Sequence, residues 1–134
     1  RTATNSGAGR WNAVAVPGTF TAWSSGKPVN VAITEWSAAD TYEAVTSFSC
    51  SSGLYTSNKT TITWNSPSPG GIGSNTTALR MVATHEFGHA YGLNHMSTTC
   101  NGTKTVMVQG KTKWSCSWGT EPWQDDINGG DAIY

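Results

Sequence analysis

Apolar and polar residues alternate along short stretches of the first half of the chain, and the spacing becomes helical after residue 75. Val29, Val31 and Ile33 alternate with small or polar residues, which predicts a strand with one buried face. The same alternation predicts further strands over residues 19–24, 42–50 and 60–65. Pro and Gly residues make 65–75 a predicted loop.

Three segments carry the apolar spacing of helices. The strongest is 76–92, where Gly92 is the expected C-terminal stop. A weaker helix is predicted over 4–15, ending before a Pro-Gly pair. A last helix is predicted over 123–134, because the carboxylates of Asp125 and Asp126 suit the positive end of a helix. We expect residues 96–120 to be irregular.

Composition narrows the function classes. The chain has 134 residues, which fits one domain, and its 8 basic and 8 acidic residues give no net charge. That balance provides no basic surface for nucleic acid or anionic lipid. The apolar runs are too short for a transmembrane helix. Only 12% of residues are charged while Ser, Thr and Asn are abundant, which favours a secreted protein.

The residues with the most informative chemistry lie in an eleven-residue stretch, 85–95. His85 and His89 are four residues apart on the predicted helix, so both imidazoles project from one face and can bind one zinc ion. Gly92 allows a sharp turn that returns His95 to the same ion. Three imidazoles leave a fourth position for water, which is typical of a catalytic zinc site. Glu86 lies beside the first ligand and fits a general base.

A buried helix with incidental histidines is the alternative interpretation of this stretch. A His-Glu-x-x-His pattern alone arises by chance often enough to be only suggestive. Here a glycine and a third histidine follow at fixed spacing, and all 3 histidines of the chain fall within the stretch. The sequence therefore favours a zinc site.

Residues 85–95 resemble the metzincin motif, and the chain is similar to matrixin-type or snapalysin-type catalytic domains. The resemblance implies a zinc endopeptidase with an α+β fold: a twisted, mostly parallel sheet of five strands with an antiparallel edge strand, an active-site helix and a C-terminal helix. Met107 stands where metzincins carry a methionine that packs under the three imidazoles. An extended peptide or protein substrate would add to the sheet edge, which we place at 42–50; the alternative is an ordinary edge strand.

Several positions differ from the matrixin pattern. Met96 follows the third histidine where matrixins usually have Ser, and Val108 and Gln109 stand where a Pro is usual. Snapalysins use Asp as the third ligand, whereas this chain has His95. The loop 65–78 contains no acidic residue, so we predict no structural calcium there.

The resemblance also bears on the chain ends and the cysteines. The family has a strand before the first helix and continues beyond the last helix. Residues 1–134 are therefore expected to be an excerpt that contains a single catalytic domain. We expect this domain to be monomeric. Cys100 and Cys116 would form a disulfide around Met107, and Cys50 would pair outside the chain; the alternative is two free, buried thiols at Cys100 and Cys116.

Two other functions remain open at this point. The chain can be a catalytically inactive domain of the same fold, although an intact Glu86 argues against it. It can also be a Trp-rich carbohydrate-binding module, since it has 7 Trp. Two of these, Trp11 and Trp64, are expected in the core. Three others can be exposed near the cleft or can cover the lower part of the domain: Trp114, Trp118 and Trp123.

Overall fold

The computed structural model describes residues 2–22, 24–26, 30–36, 42–51, 54–55, 60–65 and 75–133. Four helices and five strands lie in these ranges. In chain order they are α1 (Thr2–Asn12), β1 (Val31–Trp36), β2 (Ala44–Ser47), β3 (Cys50–Ser51), β4 (Leu54–Tyr55), β5 (Thr60–Asn65), α2 (Thr76–Tyr91), α3 (Thr112–Ser115) and α4 (Gln124–Ile133).

The principal sheet has three strands in the order β1-β5-β2. Strand β5 pairs with β1 in parallel and with β2 antiparallel, so β2 is the antiparallel edge strand of the described sheet. The α+β class and the antiparallel edge are confirmed. The described sheet is mixed, with one parallel and one antiparallel pair, rather than mostly parallel, and β3 and β4 form a separate two-stranded ladder.

The strand predicted over 19–24 is wrong for its described residues, which form no ladder. The backbone of Phe20 instead bonds to one side chain: the Asn12 amide donates to the Phe20 carbonyl at 2.7 Å, and the Phe20 N–H donates to the Asn12 carbonyl oxygen at 2.7 Å. The Phe20 ring packs edge-on against the rings of Phe87 and Tyr91. A side chain that pairs with both backbone groups replaces the ladder that alternation predicted.

The two outer strands of the sheet, β1 and β2, also differ from the prediction. The strand predicted over 42–50 is shorter, because β2 ends at Ser47. The buried face predicted for β1 is not found at Ile33, which is 44% exposed, whereas its register partner Ile62 is fully buried. Of the three strands of the sheet, α2 packs mainly on β2 and β5, so Ile62 lies under the helix and Ile33 does not. Val29 lies outside the described residues.

The first helix ends three residues earlier than predicted and crosses α2 at close range. Trp11 is buried, and its indole N–H donates to the Thr84 carbonyl at 2.8 Å. A Cβ placed on Gly7 would lie 2.6 Å from the Ala83 backbone, so only glycine allows this approach. The core surrounds the crossing and contains Trp11, Ile62, Phe87, Tyr91, Leu93, Val106 and Met107.

Helix α2 begins and ends close to the predicted bounds, and each end has a cap. The Asn75 side chain accepts from the N–H groups of Thr77 and Ala78. Gly92 is left-handed with φ 106°, as the sequence predicts for the helix stop. Helix α4 also lies within its predicted range. The short helix α3 was not predicted.

The irregular segment between α2 and α4 is fastened at two places. The disulfide between Cys100 and Cys116 is present, which confirms the predicted pairing. An isolated bridge between Met96 and Val108 holds the residues after α2 against the segment that contains Met107. The side chain of Cys50 and residues 66–74, which make up most of the loop for which no calcium site was predicted, lie outside the described residues.

Candidate functional site

The C-terminal half of α2 and the turn after it bring three histidines together. His85 and His89 are buried on consecutive turns of the helix. The N–H groups of Gly92 and Leu93 bond back to the carbonyls of His89 and Gly88, at 2.9 and 3.0 Å, which closes the helix and reverses the chain. His95 then returns to the helix face. We call His85, His89 and His95 the histidine cluster.

The ring nitrogens of the cluster point at one another. The Nε2 atom of His85 lies 3.2 Å from that of His89 and 3.2 Å from that of His95, and the remaining pair is 3.0 Å apart. A tetrahedral zinc ion bound at 2.0–2.1 Å requires its nitrogens to be about 3.3 Å from one another. The spacing therefore fits three of the four ligands of a zinc ion.

Hydrogen bonds on the opposite side of two rings decide which nitrogen carries a proton. The Nδ1 atom of His85 lies 2.7 Å from the Val106 carbonyl, and that of His89 lies 2.7 Å from the Leu93 carbonyl. A carbonyl only accepts, so in the neutral rings the proton is on Nδ1. The two Nε2 atoms then present lone pairs to each other, which cannot hydrogen-bond. A cation bound between the two Nε2 atoms would accept both lone pairs, and the backbone carbonyls orient the rings toward such a cation.

Burial shifts the imidazoles of the cluster toward the neutral, metal-binding form. It lowers the pKa of His85 well below its usual range, with the nearby Lys113 ammonium and His89 adding to the effect. Burial also lowers the pKa of His89, which its hydrogen bond to the Leu93 carbonyl acts to raise, and burial lowers the pKa of His95 as well. Neutral imidazole is the form that coordinates a metal.

Glu86 is buried beside the cluster and lines the same cleft. The hydroxyl of Thr46, on strand β2, donates to Glu86 Oε2 at 2.6 Å and also lies 3.1 Å from the Glu86 carbonyl. Burial raises the pKa of Glu86, while the Thr46 hydrogen bond and the Lys113 charge act in the opposite direction. A carboxyl group with a raised pKa is suited to taking up and releasing a proton near neutral pH. The bond from Thr46 was not foreseen from the sequence.

Met107 packs beneath the helix turn that carries the cluster. It is buried, and a Cβ placed on Gly88 would lie 2.3 Å from its sulfur atom. Gly88 lies between His85 and His89 in α2, so the methionine fills the space that a side chain at residue 88 would need. The role that the metzincin resemblance implies for Met107, packing under the three imidazoles, stays a prediction.

Asp126, at the start of α4, supports the same segment. Its carboxylate accepts from the Thr105 hydroxyl, from the Val106 N–H at 3.0 Å and from the Trp123 N–H at 2.7 Å. Burial raises the pKa of Asp126, and these three hydrogen bonds lower it. The sequence predicted Asp126 only as a helix-end residue. Because the Val106 carbonyl bonds to His85, Asp126 also holds in place the residue whose carbonyl orients a cluster histidine.

Lys113 is a buried cation that the sequence analysis missed. Its ammonium donates to the carbonyls of Val108 at 2.9 Å and Gly110 at 3.4 Å. Burial lowers its pKa to about 8, although Glu86 and Asp126 act to raise it. No pattern in the sequence distinguishes this lysine from a solvated one, since its burial depends on how the 108–113 segment folds back on itself.

A cleft of about 600 Å³ contains these groups. Its wall is lined by strand β2, by the cluster, and by Glu86 and Lys113. Trp114, 40% exposed, lies at the cleft as the sequence allowed, whereas Trp118 is buried and Trp123 packs against the core. Among the described Trp residues, Trp11 is in the core as predicted, and Trp64 is partly buried against it.

The family comparison agrees with this geometry. The matrixin peptidase family model matches residues 26–134, which is most of the chain, so the protein belongs to the matrixin family. Of the two predicted types, the matrixin one is therefore confirmed. Comparisons with curated proteins and with solved structures gave no match. In the described part of the chain, no helix has the length and apolar character that membrane spanning requires.

Proposed function

We propose that this domain is a secreted zinc-dependent endopeptidase in which His85, His89 and His95 hold the metal and Glu86 is the general base. The observation that carries the proposal is the convergence of three Nε2 atoms, two of them with the proton fixed on the opposite nitrogen, next to a buried carboxylate. Membership of the matrixin family supports zinc and peptide hydrolysis.

Each residue has a distinct task in this mechanism. When bound, the zinc ion supplies the Lewis acidity that activates a water molecule and polarises the scissile carbonyl group. Glu86 takes the proton of the attacking water and delivers it to the leaving amine. The Val106 and Leu93 carbonyls keep two cluster rings oriented. Met107 and Asp126 support the backbone around them.

The substrate is an extended peptide or protein segment. Strand β2 pairs with β5 on one side and lines the cleft, so its other edge is positioned to pair with a peptide backbone. The disulfide and the low charge content support secretion. For this function we propose a monomer with no further cofactor.

Replacing Glu86 with Gln tests the general base. We expect Glu86→Gln to keep one zinc per chain and to lower casein hydrolysis by at least about a thousandfold, because a Gln amide cannot accept the proton. Zinc is measured by elemental analysis and hydrolysis with and without a chelator. Glu35→Gln, at an exposed glutamate of β1, is the matched control and should behave like the parent protein.

The alternative of a catalytically inactive domain gives the opposite result. The parent protein would then bind zinc but show no chelator-sensitive hydrolysis. A variant with Gln at residue 86 and undiminished turnover would show instead that another group is the base. The carbohydrate-binding alternative has little support among the Trp residues whose burial the structure describes: Trp114 is exposed, whereas Trp11, Trp64, Trp118 and Trp123 are buried or partly buried.

A further inference from the structure

The hydroxyl of Thr46 connects the edge strand to the carboxylate that the proposed mechanism uses. Thr46 lies in the middle of β2 and pairs in register with Ile62 of β5. Ile62 is fully buried under α2, so this register position faces the helix. Thr46 therefore directs its side chain at α2 while its backbone belongs to the wall of the cleft.

The hydrogen bond from Thr46 to Glu86 is of the strong kind. An O–H···O distance of 2.6 Å is typical of an ionised acceptor, and the second contact, to the Glu86 carbonyl, is longer at 3.1 Å. A hydroxyl has one proton, so the shorter contact takes it. Branching at Cβ restricts the Thr rotamer, which fixes the direction of the donor.

This bond limits where the carboxylate can go. A Glu side chain has three rotatable bonds, and in an open cleft it would sample several rotamers. The Thr46 hydroxyl donates to Oε2, so the bond holds this oxygen and with it the orientation of the whole carboxylate. Reacting groups must be held within narrow limits for efficient proton transfer.

We propose that Thr46 is a positioning residue that holds the Glu86 carboxylate in its reactive orientation and ties it to the strand along which the peptide binds. The inference rests on the proposed function, because it concerns the general base of that mechanism. A single residue then joins substrate binding and proton transfer: its backbone belongs to the cleft wall, and its hydroxyl holds the base.

A merely structural role would have other consequences. If the hydroxyl only satisfies a buried carboxylate, its loss destabilises the fold but leaves the turnover of the folded enzyme unchanged. Thr46→Val removes the hydroxyl and keeps the shape and the strand preference, while Thr46→Ser keeps the hydroxyl. Thr34→Val is the matched control, since it removes a Thr hydroxyl that donates to Thr63 at 2.9 Å elsewhere in the sheet.

The kinetic test separates kcat from KM for one peptide substrate at saturating zinc. We expect Thr46→Val to lower kcat about tenfold or more, with KM changed less than about twofold, because the hydrogen bond acts on the base and not on the bound peptide. Thr46→Ser should restore kcat to within about threefold of the parent. All variants should retain one zinc per chain, and Thr34→Val should match the parent.

A second measurement does not use activity. In the metal-free proteins, Thr46→Val should lower the Tm of the parent chain and should lower it much less when Glu86 is already Ala, since the bond is then absent. An equal decrease in both backgrounds would show that the two side chains do not interact.

The outcomes distinguish this inference from the proposed function. A Val variant with the kcat of the parent, or a Ser variant as defective as the Val variant, would overturn the role of Thr46 and leave the peptidase proposal intact. A parent protein without chelator-sensitive hydrolysis would overturn the peptidase proposal, and the role of Thr46 with it.

Discussion

The helical region, residues 75–133, and the sheet region, formed by β1, β2 and β5, are stabilised in different ways. In the helical region single buried polar bonds fix particular groups, such as the bond from His85 Nδ1 to the Val106 carbonyl and the bond from the Val106 N–H to Asp126. In the sheet region the backbone ladder provides the order, and apolar side chains such as Ile33 and Val45 remain about 40% or more exposed.

Because they are stabilised differently, the helical region and the sheet region should respond differently to substitution. The histidine cluster depends on contacts that a one-atom change would disturb, because the rings of His85 and His89 are each fixed by a specific carbonyl. The sheet mainly supplies a backbone edge, which tolerates side-chain changes, and Thr46 is the exception through its bond to Glu86. Substitutions in the helical region should therefore affect metal binding, and substitutions in the sheet should seldom do so.

The largest effect is expected from removing a cluster histidine. His89→Ala should reduce zinc affinity by at least about a hundredfold and abolish hydrolysis, because two imidazoles cannot complete the three-ligand set. Competition with a chromophoric chelator measures the affinity. The Glu86→Gln protein is the control, since it should lose hydrolysis and keep zinc. An alanine variant at residue 89 with full affinity would exclude His89 as a ligand.

The next effect concerns the packing beneath the cluster. Gly88→Ala should cost about 1–3 kcal/mol of folding free energy, because the new Cβ would lie 2.3 Å from the Met107 sulfur and 3.1 Å from the Trp11 ring. Urea unfolding measures this cost. Gly9→Ala in α1 is the matched control: its Cβ would meet nothing within 4 Å, and we expect it to stabilise by about 0.5–1 kcal/mol. Equal effects at both glycines would refute the packing argument.

Because Lys113 is buried, we expect the stability of the protein to depend on pH. Its pKa in the folded protein, about 8, lies below its ordinary value of 10.5, so between these values the unfolded chain binds more protons. Stability should therefore rise as the pH increases from about 8 to 10.5, by roughly 1–3 kcal/mol from this group. Unfolding of the metal-free parent and of Lys113→Met across this range tests it. The rise should be smaller in the variant, and equal slopes would contradict the prediction. Glu86, Asp126 and the cluster face this ammonium and are present in both proteins.

The smallest effects are expected within the sheet, where one substitution can be compared at two paired positions. Ile62→Val should cost about 0.5–1.5 kcal/mol, because Ile62 is fully buried. Ile33→Val, at its register partner on β1, should change stability by less than about 0.5 kcal/mol. Neither should change zinc affinity. A larger cost at Ile33 than at Ile62 would reverse the assignment of the buried face.

Local signals explain what the sequence could predict. Helix α2 was predictable because its apolar spacing, its stop at Gly92 and its histidines all lie within a few turns of one another. Strand β5 was predictable from alternation over six residues. The ligand set of the proposed zinc site also belongs to one short stretch, so spacing alone brought it together.

The remaining features depend on residues far apart in the chain. The bond from Thr46 to Glu86 spans 40 positions, and the one from His85 to the Val106 carbonyl spans 21. The backbone of Phe20 pairs with Asn12 and not with a strand, which alternation cannot reveal. The exposure of Ile33 depends on which strands α2 covers. Such contacts are set by packing, for which a single sequence carries no periodic signal.

The disulfide between Cys100 and Cys116 makes the stability of the protein depend on whether its surroundings are oxidising or reducing. The bond closes the loop that contains both Val106 and Met107, and in the chain-entropy account a loop of about 15 residues is worth about 3 kcal/mol. In a thiol-rich compartment that contribution is missing, and the carbonyl that orients His85 belongs to a less constrained loop. For the proposed zinc site, we therefore expect reduction of this disulfide to lower metal affinity as well as stability.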